Sequence, residues 1–257
     1  MPRLKIIAGP CVIESLEVCL ETAAAVQKIC NKLGFDFIFK SSYKKANRTK
    51  LSSFTGIDEQ EAFDVLKKIK KKLNVPILTD VHETADVTKA QGVADYLQIP
   101  AFLCRQTDLL IAAGESGKWV NVKKGQFASP ESMGFAVEKI RSTGNKKIML
   151  TERGTTFGYQ DLVVDFRSVP RMQQFNVPVI VDCTHSLQKP NRSKGTSGGD
   201  PPMVETLCKA AVAAGADGLF IETHPNPAKA LSDAESMLPL KAIGKILEKC
   251  ARIREAL

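Results

Sequence analysis

The stretch from Phe35 to Arg48, FDFIFKSSYKKANR, decides how the rest of the chain is read. Phe35, Phe37, Ile38 and Phe39 form a buried apolar strand, and Lys40, Ser41, Ser42, Lys44, Lys45, Asn47 and Arg48 follow within nine positions. A core strand that runs straight into four cations points to bound phosphate or carboxylate. Solvated surface lysines are the ordinary alternative, and recurrence of the pattern decides between them.

The pattern recurs on both sides. Residues 5–9 (KIIAG) make a short apolar strand closed by Pro10-Cys11. From Ser15, apolar residues return at three- and four-residue steps until Gly34, a C-cap. Downstream, 59–73 has helical period and 75–82 (VPILTDVH) is a strand. Further strands follow at 96–101, 119–124, 147–153, 178–185 and 218–224, with helical stretches at 108–113, 130–141 and from Pro239 onward. Eight strands alternating with helices in 257 residues predict an α/β chain folded as one (β/α)8 TIM barrel, residues 1–257. A doubly wound open sheet is the alternative, but no Gly-x-Gly-x-x-Gly follows the first strand.

A barrel gathers its chemistry at the C-terminal strand ends. Those ends carry Cys11, Lys40, Asp80 with His82, Gln98, Lys123 with Lys124, Glu152 with Arg153, His185, and Glu222 with His224. Cys11, His185, Glu222 and Asp233 suit a borderline ion, zinc, iron(II) or manganese, better than magnesium; their spacing equally allows a buried thiol and a hydrogen-bonded imidazole. Lys40, Lys45, Lys123 and Arg153 line one wall and can bind a phosphate with a carboxylate. His82 and His224 read as supporting residues. Residues 154–164 read as a long link with Asp165 as N-cap of a short helix, and the polar stretch 188–202 as a mobile lid.

Composition narrows the classes. The seven cysteines are odd in number and scattered through apolar patterns, which fits a reducing, cytoplasmic setting rather than a disulfide framework. No apolar run reaches the length of a membrane span. The formal charge of +8 raises nucleic acid as a partner, but the basic residues lie in runs such as 67–72 without interleaved aromatics, so neither nucleic acid nor membrane is expected.

Taken in order, Gly9-Pro10-Cys11, Lys40-Ser41-Ser42, Lys45-Ala46-Asn47-Arg48, 98–106 (QIPAFLCRQ), 121–127 (NVKKGQF), 151–158 (TERGTTFG) and Thr184-His185-Ser186 resemble the 3-deoxy-D-manno-octulosonate 8-phosphate synthases nearly end to end. The resemblance implies a homotetrameric barrel that condenses phosphoenolpyruvate with D-arabinose 5-phosphate and water, releasing phosphate. It implies that Lys40, Ser42, Lys45, Lys123 and Arg153 hold phosphoenolpyruvate. Asn47, Arg48 and Thr49 would meet arabinose 5-phosphate, Asp80 and Gln98 would complete the wall, and Arg105 would reach the sugar phosphate from an adjacent subunit. The implied catalytic set is Lys40, Lys45, Lys123, Arg153, His185 and Asp233. Cys11, with His185, Glu222 and Asp233, implies the metal-dependent branch of that family. Two positions depart from the pattern: Thr49 replaces an expected Ser, and Cys183 an expected Ala, where it reads as a buried space-filler or a spare ligand. The sibling heptulosonate synthases, which use erythrose 4-phosphate, would carry Lys-Pro-Arg-(Thr or Ser) where this chain has Lys45-Ala46-Asn47-Arg48; Asn47 offers hydrogen bonds to the extra hydroxyls of a five-carbon sugar, which a proline there could not.

Overall fold

In the computed structural model, residues 2–48, 50–159, 161–189 and 198–257 are described. Eight parallel strands close a barrel: β1 (Lys5–Gly9), β2 (Asp36–Lys40), β3 (Ile77–Asp80), β4 (Tyr96–Ile99), β5 (Trp119–Lys123), β6 (Ile148–Glu152), β9 (Val179–Asp182) and β10 (Gly218–His224). They pair in that order, and β1 pairs with β10 to shut the ring, Ile7 opposite Phe220 and Gly9 opposite Glu222. The expected barrel is therefore present. Helices α1 (Leu16–Leu33), α2 (Glu59–Leu73), α3 (Thr84–Ala90), α4 (Thr107–Glu115), α5 (Met133–Arg141), α6 (Ser168–Gln173), α7 (Val204–Ala213) and α8 (Leu240–Glu255) cover the outside.

Local chemistry sets the boundaries. Ser15 accepts a hydrogen bond from the Val18 backbone N–H at 3.2 Å to start α1, and Gly34, at φ 70°, ends it in the left-handed region that favours glycine. The strands expected at 75–82 and 178–185 are shorter. Their last residues turn away from the ladder, and His185 opens a 3₁₀ turn, His185–Leu187, instead of ending a strand. The link expected at 154–164 is an antiparallel hairpin, β7 (Thr155–Phe157) with β8 (Asp161–Val163), because β-branched residues flank a turn at Gly158, φ 69°. Asp165 does not cap α6 directly. Its Oδ1 accepts from the Arg167 backbone N–H at 3.0 Å, and Arg167 stands at the N-cap. A short strand, β11 (Leu238–Pro239), pairs beside β10.

Two cores result. The outer one packs helices on strands, while Ile7, Ile38, Leu78, Met149, Ile180 and Phe220, with Tyr96 and Trp119 against them, fill the barrel interior. Side chains alternate along a strand, so the residues two positions further on also point inward. These are Lys40, Asp80, Gln98, Asn121, Thr151, Asp182 and Glu222, all buried. An apolar plug thus carries a polar layer directly above it, at the C-terminal end. Of the lid expected at 188–202, the flanks are described, with Lys189 and Gly198 bridged antiparallel; residues 190–197 lie outside the described residues.

Candidate active site

The polar layer organises into two networks. On one side Ser42 and Gln98 donate short hydrogen bonds to Asp80, Asn121 Nδ2 donates to Gln98 Oε1 at 3.0 Å, and Thr151 Oγ1 donates to Asn121 Oδ1 at 2.7 Å. Each amide or hydroxyl is consumed by its neighbour, so this side is a rigid, satisfied wall. Burial alone would favour the neutral acid of Asp80, but Lys40 and Lys45 outweigh it and hold the carboxylate ionised.

The other side is charged. Lys40 Nζ donates to Glu222 Oε1 at 2.7 Å and to the Cys11 carbonyl at 3.1 Å. Lys123 Nζ donates to Asp182 Oδ2 at 2.7 Å and lies 3.8 Å from the centre of the Phe220 ring, whose face also lies 5.5 Å from Lys40. Arg48 donates to Asp233 Oδ1 at 3.3 Å and, in a short bond, to Ser232. Burial opposes charge on Lys45, yet the Cys11 side chain and the carboxylates of Glu222, Asp80 and Asp233 outweigh it and keep its ammonium protonated. Burial lowers Lys123 and Arg153 from their ordinary values, which is the cost of holding cations with too few anions; a bound anion would relieve it. One Arg153 guanidinium nitrogen, Nη1, is buried with no hydrogen-bond partner among the described residues.

These groups surround a cavity of about 210 Å³ at the C-terminal end of the barrel. Lys40, Lys45, Asn47, Arg48, Asp80, Gln98, Lys123, Arg153, His185 and Asp233 line it, which brings most of the expected site residues together. Ser42 is an exception, since it lies buried behind Asp80 with its hydroxyl engaged. Thr49 lies outside the described residues. Arg105 is exposed on the outer face, in a separate groove with Cys104, Phe127 and Phe135, and does not enter its own chain's cavity. His82, expected only to support, lines the cavity, whereas His224 stands 3.5 Å from Glu14 and is structural.

At Asp233, which lines the cavity, single ligand atoms of Cys11, Glu222 and Asp233 lie within 4.8 Å of one another. Cys11 Sγ is 3.3 Å from Asp233 Oδ2 and 3.0 Å from Ser232 Oγ. His185 reaches this triad through Glu222, Nε2 to Oε2 at 3.3 Å, rather than standing among the three. Burial, then the carboxylates of Asp233 and Glu222, push the Cys11 thiol up to about 12. A buried thiol crowded by two carboxylates is poorly matched to itself and well matched to a divalent cation, so the donor set fits a borderline metal. Asp233 sits at φ 49°, left-handed for a non-glycine residue, which marks a position held by its surroundings.

Three participants escaped the sequence reading. Asp182, Ser232 and Gln188 carry no motif of their own, though Asp182 stands one pleat above Ile180 on the inward face and could have been found by parity. Gln188 Oε1 accepts from Arg153 Nη2 at 3.0 Å. Cys183, by contrast, faces outward into the helix-packed core, its Sγ 3.6 Å from the Val181 carbonyl. The turn at His185 breaks the parity that would have put the two on one side.

The family model described as the DAHP synthetase I family matches residues 2–257. A protein of Koribacter versatilis named 2-dehydro-3-deoxyphosphooctonate aldolase is 52% identical over 99% of this chain and 92% of its own length. Proteins of the same name from Desulfotalea psychrophila and Fusobacterium nucleatum are 50% and 52% identical over 98% and 96% of this chain, and 90% and 88% of their own lengths. With a closed barrel, a cation-lined cavity and full-length matches of this kind, the chain belongs to the DAHP synthetase I family, beside relatives named 2-dehydro-3-deoxyphosphooctonate aldolase.

Proposed function

We propose that this barrel condenses phosphoenolpyruvate with D-arabinose 5-phosphate and water to give 3-deoxy-D-manno-octulosonate 8-phosphate, the compound in its relatives' name, and phosphate. The observation that carries the reading is the convergence of five cations, Lys40, Lys45, Arg48, Lys123 and Arg153, on one cavity at the C-terminal strand ends. Few metabolites other than two phosphorylated ones would match that charge. The relatives' names favour the octulosonate reaction over the heptulosonate alternative, and Asn47, lining the cavity, fits a longer sugar.

In this reading Lys123 and Arg153 bind the phosphate of phosphoenolpyruvate, and Lys40 and Lys45 its carboxylate side. Asn47, Arg48 and Thr49 meet the pentose phosphate. Water adds to C2 as C3 bonds the aldehyde carbon, and the cations stabilise the negative charge that develops. Cys11, His185, Glu222 and Asp233 would hold zinc, iron(II) or manganese, which when bound supplies Lewis acidity toward the aldehyde and a water. The segment 188–202 serves as a lid, an idea supported by Gln188, which bonds Arg153 and approaches Asp233 at 3.5 Å.

We further read the enzyme as a cytoplasmic homotetramer. Seven free, buried cysteines fit a reducing compartment. Phe127 and Phe135, more than half exposed, line the groove around Arg105, an apolar face suited to a second copy that would receive Arg105.

The deciding experiment measures phosphate release from both substrates, before and after strong chelation and with metal restored. Loss and recovery of turnover supports the reaction and its metal together; chelator-resistant turnover keeps the reaction and removes the metal. Turnover with erythrose 4-phosphate alone would replace the reading by its sibling.

A further inference from the structure

Asp182 ends β9 fully buried, does not line the cavity, and divides its two oxygens between separate tasks. Oδ1 accepts from the backbone N–H groups of Thr184 at 3.1 Å and His185 at 2.8 Å, which fixes the turn that carries the imidazole. Oδ2 accepts from Lys123 Nζ at 2.7 Å and lies 2.8 Å from His185 Nδ1. Lys123 Nζ and His185 Nδ1 are themselves 3.4 Å apart, so two donors crowd one oxygen.

We propose that Asp182 is a positioning residue whose shared Oδ2 couples the anion site at Lys123 to the ligand imidazole of His185. The inference rests on the function proposed above and deepens it. An ammonium is always a donor and a carboxylate only an acceptor, so the proton between Asp182 and His185 belongs on Nδ1; Nε2, 3.3 Å from Glu222 Oε2, is then the nitrogen that would give its lone pair to a cation once the cation displaces any proton held there. An anion bound at Lys123 draws that ammonium away and gives Oδ2 to His185 alone, making Nε2 the better ligand. By linkage, a cation at Nε2 strengthens anion binding by the same factor.

The test uses Co²⁺ as probe, with its thiolate charge-transfer and d–d absorption as readout, titrated with and without phosphoenolpyruvate. In the wild type, phosphoenolpyruvate should tighten Co²⁺ severalfold. In Asp182→Asn the amide can donate to Nδ1, shifting the ring proton to Nε2, so Co²⁺ affinity should fall about 10- to 100-fold and the effect of phosphoenolpyruvate should shrink toward none. Direct attraction between the two bound ions would survive this substitution, so only a reduced ratio supports coupling through Asp182. Should Asp182→Asn not fold, Lys123→Met and Arg153→Met replace it: both remove one cation, but only the first frees Oδ2, and it should tighten Co²⁺ the more. An unchanged ratio in Asp182→Asn, whatever the Co²⁺ affinity, or equal effects of the two Met variants, would overturn the coupling while wild-type turnover leaves the reaction standing. A wild type that turns over without binding Co²⁺ overturns the coupling and the metal together; one that releases no phosphate defeats the reaction itself.

Discussion

The apolar plug of the barrel and the polar layer two residues above it share one backbone, yet burial acts on them with opposite sign. Ile7, Ile38, Leu78, Met149, Ile180 and Phe220 gain from leaving water. Lys40, Asp80, Asp182 and Glu222 lose by it and persist through ion pairs at 2.7 Å and, for Asp80, the hydrogen bond from Gln98. Stability thus lives in the lower layer and chemistry in the upper, with Phe220 as the boundary that packs below and faces two ammonium groups above.

The sharpest way to break that division is to make the upper layer resemble the lower one. Lys40→Met combined with Glu222→Leu removes both partners of a buried pair. Turnover should fall by more than about 10³-fold, since an electrostatic contact to the reacting anion is lost. Stability by calorimetry should stay level or rise by about 1–4 kcal/mol. A large stability loss would show that the pair supports the fold. The converse change, Ile180→Ala, should cost about 2–5 kcal/mol of unfolding free energy yet leave kcat/KM within about twofold at 25 °C. A collapse of activity without loss of stability would sink the distinction.

A smaller effect sharpens the electrostatic half. With its thiol pushed up to about 12, Cys11 is protonated in the metal-free chain at neutral pH and must lose that proton on binding. Metal affinity should therefore rise with pH, up to about tenfold per unit for one proton released, and activity should fall on acidification as metal is lost. Metal content that stays constant while activity drops would exclude this cause. The smallest change concerns Cys183, in the outer core. Cys183→Ala should leave metal stoichiometry untouched and cost roughly 1 kcal/mol by melting, as a volume change alone; altered metal content would make it a ligand after all.

Much of this division was readable beforehand. Runs such as KIIAG and GLFIETH match β1 and β10 to the residue, and the Glu59–Leu73 period matches α2, because burial on both faces and helical spacing leave clear traces. The strand-end residues collected in one cavity because closure of the barrel forces it. The hairpin at 155–163 was hidden, since strands of three residues are too brief for a period, and α3 and α7 went unread. Asp182 escaped for a different reason. Its role depends on Lys123 and His185, on another strand and in a turn, and no local pattern announces a shared oxygen.

The single tryptophan, Trp119, lies at the lower layer, stacked on Tyr96 with ring centres 5.7 Å apart. Along β5 it stands four residues before Lys123, on the same inward face, with the Asn121 pleat between. Its intrinsic fluorescence is therefore a built-in reporter of the plug: emission tracks unfolding of the barrel and stays indifferent to which anion or metal fills the layer above, so one optical signal separates damage to the fold from damage to the site.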